Sequence, residues 1–207
     1  MALINQASKE IQLKIVYYGP PQGGKTTNLE KVHAEVETAT PEAKGKLTSL
    51  ATNTDRTLFF DFLPLETAAI KGYKTKFQLF TVPGQVIYNA TRQLVLRGVD
   101  GIVFVADSQY EKMEENAQTF ANMIENLATL NLSLEKITYV LQYNKRDLPN
   151  AAPVDYLDYV LNNRDVCVPS FASSVMKGEG VFETLNMITR MLLHKLRSET
   201  GGGRKAA

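Results

Sequence analysis

Two hydrophobic patterns alternate along the chain and divide it into strands and helices. Residues 11–18 carry apolar side chains at alternate positions, as a strand does, and Gly101–Asp107 is continuously apolar, as a central parallel strand is. Further strands are predicted at 137–143 and 166–171. Apolar residues at helical spacing fall into three sets: Leu29, Val32 and Val36; Met113, Ala117, Phe120, Ile124 and Leu127; Phe182, Leu185, Ile188, Leu192 and Leu196. The alternation predicts an α/β fold, an open, doubly wound and mostly parallel sheet of six strands with about five helices.

An antiparallel hairpin is predicted at one edge of this sheet. Residues 58–65 form a strongly apolar strand, and Pro64 marks its end or an exposed edge. Gly72 lies in a turn, and 75–82 forms the second strand. The preceding residues 40–57 are polar and weakly patterned, which indicates a loop.

Composition and charge favour a single globular domain rather than a nucleic-acid-binding or membrane-spanning protein. The chain has 207 residues and a formal net charge of +1, which gives no reason to expect a nucleic acid as partner. No stretch approaches a membrane span, so a cytoplasmic protein without membrane insertion is predicted. The single cysteine, Cys167, excludes an intrachain disulfide, and its valine neighbours predict a place in the core. We expect one domain over 1–197 and a flexible tail over 198–207.

Residues 19–26, GPPQGGKT, fit the phosphate-loop pattern G-x-x-x-x-G-K-[ST] and lie between a predicted strand and a predicted helix. Backbone N–H groups of such a loop point at phosphate oxygens, as does the helix N-terminus. Lys25 would reach the β- and γ-phosphates, and Thr26 would ligate Mg²⁺. The alternative is a chance match of four letters. In its strand–helix context the motif predicts a three-layer P-loop NTPase.

The sequence NKRD at 144–147 follows the predicted strand 137–143. The carboxylate of Asp147 can accept from the N1–H and 2-amino groups of guanine, a pair of donors that adenine does not offer. Asn144 can hold the loop and reach the purine, and the aliphatic stem of Lys145 can lie across the ring. The alternative is a polar turn with solvated charges.

Two further segments end near the same edge of the sheet. In TVPGQ at 81–85, Gly84 lets a backbone N–H approach a γ-phosphate, and Gln85 can orient an attacking water. The alternative there is a Pro-Gly turn with a surface glutamine. Thr57 could complete the coordination of Mg²⁺, and Arg56 could neutralise charge on a transferred phosphoryl group, the alternative being a solvated arginine in a loop.

The chain as a whole resembles Ras-like small GTPases, and more closely the bacterial gliding-motility GTPases of the MglA type. Four stretches carry the resemblance: KIVYYGPPQGGKTTNL, LATNTDRTLFFDFLPL, TVPGQVIYNATRQLVLRGVDGIVFVADSQ and YVLQYNKRDLPNA. The resemblance implies that GTP or GDP is held by Gly19, Gln22, Gly23, Gly24, Lys25, Thr26, Thr27, Thr57, Gly84, Asn144, Lys145, Asp147, Ser174 and Val175. It further implies Mg²⁺ on Thr26 and Thr57, Gln85 as the water-positioning residue, and Arg56 as an arginine supplied in cis.

The resemblance also implies a partner and a role. The partner is an MglB-like Roadblock homodimer that acts as GTPase activator on a chain that is monomeric when free. The role is a polarity and motility switch, concentrated at a cell pole in its GTP form, with polarity or motility effectors downstream. Two other functions stay open: a GTP-dependent scaffold with negligible hydrolysis, and a P-loop kinase or ATPase, against which 144–147 argues.

Three residues depart from the common pattern of this family. Pro21 and Gln22 stand where most Ras-like loops have small residues, and the ring of Pro21 would crowd the γ-phosphate. We therefore expect slow intrinsic hydrolysis that a partner accelerates. Thr81 stands where the family has an acidic residue near Mg²⁺, and Asp61, one strand over, is a candidate substitute.

Overall fold

One sheet runs through the part of the chain that the computed structural model describes, residues 3–39, 48–49, 61–70, 72–85 and 88–201. Its strands are β1 Leu3–Asn5, β2 Glu10–Tyr18, β3 Thr48–Ser49, β4 Asp61–Ile70, β5 Tyr73–Thr81, β6 Gly101–Asp107, β7 Thr138–Asn144 and β8 Ser170–Ala172. The helices are α1 Lys25–Ala39, α2 Asn89–Leu96, α3 Met113–Thr129, α4 Val154–Leu161 and α5 Val181–Gly201, with a short 3-10 helix at Tyr110–Lys112.

The strands lie in the order β3-β4-β5-β2-β6-β7-β8, and β1 pairs with β2. The pairs β5–β2, β2–β6, β6–β7 and β7–β8 are parallel, whereas β4 and β5 form an antiparallel hairpin. The predicted six-stranded, mostly parallel sheet is confirmed, and the short strands β1 and β3 are additions to it. Because β5, β2, β6, β7 and β8 run in one direction, the segments that follow them all emerge at one edge of the sheet.

Strand β4 differs from its prediction. It spans Asp61–Ile70, and Pro64 lies inside it opposite Gln78, so of the two alternatives for Pro64 the strand end is wrong and the sheet edge remains. Residues 58–60 lie outside the described part of the chain. Strand β3 pairs only with Asp61 and Phe62, so after Phe62 the only described strand that pairs with β4 is β5. A proline is tolerated on such an edge, because its missing N–H costs no ladder hydrogen bond there. Gly72 does lie in the turn, with φ +81°.

The last strand is shorter than the apolar run that predicted it. The side chain of Asn162 accepts from the Val168 N–H and donates to the Val168 carbonyl, both at 2.9 Å, so this backbone is held away from β7. Val166 is 75% exposed, and Cys167 is exposed as well. The prediction of a core cysteine was therefore wrong, since the valine–cysteine–valine run lies in a surface segment.

The core consists of two apolar layers, one on each face of the sheet. Leu29 and Val32 of α1 and the α5 residue Ile188 pack on one face. The other face is covered by α2, α3 and α4, with Phe120 and Leu157 among the buried side chains. Burying one such side chain contributes about 1.5–3 kcal/mol to the stability of the fold. Both apolar layers therefore stabilise a three-layer arrangement of helices, sheet and helices.

The carboxyl-terminal helix runs past the expected end of the domain. The backbone of α5 is helical to Gly201, although the sequence predicts a tail from 198 onward. Residues 202–207 lie outside the described part of the chain, and the flexible tail stays a prediction. Within the described ranges, no helix is both long and apolar enough to cross a membrane.

Candidate functional site

The phosphate loop, residues 19–26, joins β2 to α1 at the carboxyl edge of the sheet. Gly19 has φ +148°, and a Cβ there would overlap the carbonyl oxygen of Val105. Gly24 has φ +103°, and a Cβ there would overlap the side chain of Asn144. Both glycines are therefore required by the close approach of neighbouring strands. Between them, the exposed Gln22 also takes a left-handed conformation, with φ +56°.

Lys25 begins α1 and is only 6% exposed. Its Nζ donates to the carbonyl of Gly19 at 3.0 Å and to that of Pro20 at 2.6 Å, so the ammonium is held inside the curve of the loop. Thr26 and Thr27 follow in the first turn of α1, where helix N–H groups have no intrahelical acceptor. This arrangement concentrates positive charge and N–H donors, which suits a phosphate.

The start of α1 is tied to the sheet by a residue to which the sequence analysis assigned no role. The side chain of Asn28, fully buried, donates to the Gly24 carbonyl at 2.9 Å and to Oε1 of Gln142 at 2.8 Å. Gln142 returns a hydrogen bond to Asn28 and another to Thr184 of α5. The phosphate loop therefore rests on a polar contact with β7.

Asn144, at the end of β7, connects the predicted base motif to the phosphate loop. Its Nδ2 donates to the Gly23 carbonyl at 2.8 Å, and its Oδ1 accepts from the Val175 N–H at 3.0 Å and from the Ser173 hydroxyl at 3.3 Å. Asn144 is 3% exposed. One amide thus holds together three segments that the sequence places far apart.

Lys145 is fixed by Asp107, which closes β6. Lys145 has φ +66°, and its Nζ lies 2.5 Å from the Asp107 carboxylate, which is 1% exposed. Asn116 of α3 holds the Asp107 backbone through both of its polar atoms. Sequence reasoning missed Asp107, although its place as the last residue of a predicted parallel strand, at the carboxyl edge of the sheet, was a usable signal.

Asp147 is exposed and accepts a hydrogen bond from the Ser174 hydroxyl at 2.7 Å. This bond lowers the pKa of the Asp147 carboxyl below its ordinary value, so the group is ionised at neutral pH. The N–H groups of Ser174 and Val175 donate to Glu179 and Asn144. Both residues thereby order the motif residues Asn144 and Asp147, and a contact of either residue with the base stays a prediction.

Gly84 lies against the phosphate loop. A Cβ at Gly84 would overlap Pro21 Cα and would lie 2.7 Å from Pro21 N and 3.1 Å from Lys25 Nζ. The segment that carries Gln85 thus packs directly on the two residues expected to face a γ-phosphate. Gly84 and Gln85 are both partly exposed, whereas Thr81 is fully buried.

Three predicted residues are not placed. Arg56 and Thr57 lie outside the described residues, as does the side chain of Asp61. In backbone register, Phe62 faces Phe80, so continuing the ladder by one residue sets Asp61 opposite Thr81. The support of Mg²⁺ by either position stays a prediction. Among the described residues, no group of three His, Cys, Asp or Glu side chains could hold a metal.

Comparison with known proteins identifies the family. A model of the ADP-ribosylation factor family matches residues 1–192. The chain is also 52% identical, over 197 residues, to the mutual gliding-motility protein MglA of Myxococcus xanthus (strain DK1622), covering 95% of this chain and 98% of that protein. The resemblance inferred from the motifs is confirmed. A phosphate loop, a guanine-type motif and a facing Gly84–Gln85 segment on one sheet edge thus agree with the matches: the chain belongs to the ADP-ribosylation factor family of Ras-like small GTPases and is a GTP-binding enzyme.

Proposed function

We propose that this GTPase is a polarity or motility switch that hydrolyses GTP slowly alone and faster with an MglB-like Roadblock homodimer. The observation that carries the proposal is the hydrogen bond from Asn144 to the Gly23 carbonyl, because it joins a guanine-selective loop to a phosphate loop within one site. The polarity role rests on the relative, which is named a gliding-motility protein. Effectors and a polar location in the GTP form belong to the same proposal.

The nucleotide would be held at both of its ends. Asp147 would accept from the guanine edge, with the Lys145 stem, anchored by Asp107, beside the ring. Gly19, Gln22, Gly23, Gly24, Lys25 and Thr27 would hold the phosphates. Ser174 and Val175 would shape the base pocket through their bonds to Asp147 and Asn144.

Mg²⁺ fits the donor set at the start of α1, because a threonine hydroxyl is the hard oxygen ligand that this ion prefers. Thr26 and Thr57 would hold the ion together with phosphate oxygens. The ion would neutralise charge on the β- and γ-phosphates. Gln85 would orient the attacking water, and Arg56 would stabilise charge on the transferred group.

Hydrolysis by the wild type, Gln85→Ala and Arg56→Ala, each with and without an MglB-type Roadblock homodimer, tests this assignment. We expect the homodimer to accelerate wild-type hydrolysis and each variant to lose about 100-fold or more of the stimulated rate, because each residue acts on the transition state. Single-turnover phosphate release measures both rates. Gln118→Ala and Arg190→Ala, both exposed and remote in sequence from the motifs, are the matched controls.

Two outcomes would contradict the proposal in different ways. Full stimulated activity in Arg56→Ala would exclude the arginine supplied in cis. Negligible wild-type hydrolysis with and without the homodimer, together with tight GTP binding, would favour the scaffold function instead. Pro21 is the residue that supports this second candidate, because its backbone is in direct contact with the Gly84 segment.

Replacing Pro21 by glycine is expected to raise the unstimulated rate on the order of 10-fold, equivalent to about 1.4 kcal/mol of barrier. The physical reason is that glycine removes the ring that crowds the space in which Gln85 must dock. Stimulated turnover should change less, since the partner would already have relieved the crowding. Pro153→Gly at the start of α4 is the control. Unchanged stimulated and unstimulated rates in Pro21→Gly would disprove this role of Pro21.

A further inference from the structure

Arg92 of α2 is one of the largest fully buried side chains in the described residues, at 1% exposure. Its guanidinium carbon lies 5.5 Å from the centroid of the Tyr18 ring. Its hydrogen-bond partners among the described residues are all uncharged. Burying a cation with no carboxylate partner in the described part of the chain is expensive, so its presence calls for a reason other than packing.

The guanidinium uses three nitrogens, each aimed at a different acceptor. Nε donates to the Pro83 carbonyl at 3.0 Å, and Nη2 donates to the Gly84 carbonyl. Nη1 donates to Oδ1 of Asn122 on α3 at 2.6 Å. The two carbonyls belong to the consecutive peptide units that lead into Gln85, so the planar fork defines the orientation of both peptide planes.

The other contacts of Arg92 hold the guanidinium itself in place. The Tyr18 hydroxyl donates to the same Asn122 oxygen at 2.8 Å, and Tyr18 immediately precedes Gly19 of the phosphate loop. Asn126 donates to the Tyr18 hydroxyl at 3.0 Å and to Asn89 of α2 at 2.8 Å. The guanidinium therefore fixes the position of the Gly84–Gln85 peptide relative to β2 and α3.

A lysine could supply the charge at this position but not the planar set of donors. Arginine presents its N–H groups in a fixed planar fork that reaches acceptors on different sides, whereas the three donors of a lysine ammonium radiate from one nitrogen and cannot reproduce that planar set. Gly84 also rests on Pro21 and near Lys25, so a small rotation of its peptide would displace Gln85 relative to the phosphate loop. A displacement of Gln85 by about 1 Å is enough to slow a reaction that depends on the alignment of the attacking water.

We propose that Arg92 is a positioning residue for GTP hydrolysis: it holds the Pro83 and Gly84 carbonyls so that Gln85 faces the phosphate loop. The inference rests on the proposed function of Gln85. The donors of Arg92 are directed at Pro83, Gly84 and Asn122, so its effect on the rate would pass through the Gly84–Gln85 peptide. The interaction between Arg92 and Gln85 should therefore be visible as non-additive kinetics.

The test is a double-mutant cycle of Arg92→Lys and Gln85→Ala, measured by single-turnover GTP hydrolysis with an MglB-type Roadblock homodimer. In the wild-type background we expect Arg92→Lys to lower the rate about 30-fold, with the affinity for GDP within about threefold of wild type. In the Gln85→Ala background the same substitution should lower the rate less than about threefold. Arg164→Lys is the matched control, because Arg164 is exposed and lies over the ring of Phe120.

Two results would overturn the inference: a wild-type rate in Arg92→Lys, or an equal loss in both backgrounds. A wild-type rate in Gln85→Ala alone would instead overturn the proposed function, so the two failures are distinguishable. Should Arg92→Lys fail to fold, Asn122→Leu decides the question, because it removes the Nη1 acceptor and leaves Arg92 present. We expect about a 10-fold loss of rate that again disappears in the Gln85→Ala background, and an equal loss in both would count against Arg92.

Discussion

Asp147→Asn is expected to weaken GTP binding by about 100- to 10,000-fold and to favour xanthosine triphosphate over GTP. Asp147 would accept from two guanine donors, and each charge-assisted hydrogen bond contributes about 1.5–3 kcal/mol. An asparagine amide presents N–H donors to the guanine 2-amino group, so one contact is lost and another becomes repulsive. Xanthine carries a carbonyl at that position, and the same amide can donate to it. Competition of GTP, ATP and xanthosine triphosphate for one labelled nucleotide measures the order of affinities.

The Ser174 hydroxyl adds a pH criterion to this prediction. It lowers the pKa of the Asp147 carboxyl, so the ionised acceptor is present at all pH values above that lowered pKa and is lost as the pH falls through it. Guanine selectivity that depends on Asp147, measured as the ratio of the affinities for GTP and ATP so that titration of the triphosphates cancels, should therefore be constant from about pH 8 down to about pH 5. Asp165→Asn, an exposed carboxylate in the segment after α4, is the control for the change in net charge. Equal binding of GTP and ATP by the wild type would refute the guanine assignment outright.

Asn144→Asp is expected to destabilise the protein by about 3 kcal/mol and to lower nucleotide affinity about 100-fold. The substitution replaces the donor that meets the Gly23 carbonyl at 2.8 Å by an oxygen, and it places a charge at a site that is 3% exposed. Because Gly23 belongs to the phosphate loop, the loop should shift and lose its fit to phosphate. Urea unfolding measures the first effect, and nucleotide titration measures the second.

Asn186→Asp on the exposed face of α5 makes the same chemical change and should alter stability by no more than about 0.5 kcal/mol. Asn144→Ala separates charge from lost bonding, since it leaves the Gly23 carbonyl and the Val175 N–H without their partner at about 1–3 kcal/mol each. A normal free energy of unfolding in both Asn144 variants would show that the bridge between the two loops contributes nothing, and the base contact alone would then explain any loss of affinity.

Most of the sheet was predictable because its signals are local. The alternation of residues 11–18, the apolar run of β6 and the helical spacing of α3 and α5 each lie within one element, and each was confirmed. The predictions that went wrong relied on an apolar run without its surroundings. Residues 166–168 read as a strand, yet an asparagine side chain occupies the backbone groups of Val168 that a strand would need.

The features of the candidate site also separate into those with a local sequence signal and those that depend on the tertiary structure. The sequence by itself determined the phosphate loop and the guanine motif, because each is a short pattern directly after a strand, and it correctly indicated one family. Only the tertiary structure decided how these segments are joined. Asn144 meets Gly23 across 121 residues, Lys145 meets Asp107 across 38, and Arg92 meets Asn122 across 30. The physical reason is that a polar side chain can bond to any acceptor within reach, and the order of the strands together with the packing of the helices determines which acceptor that is.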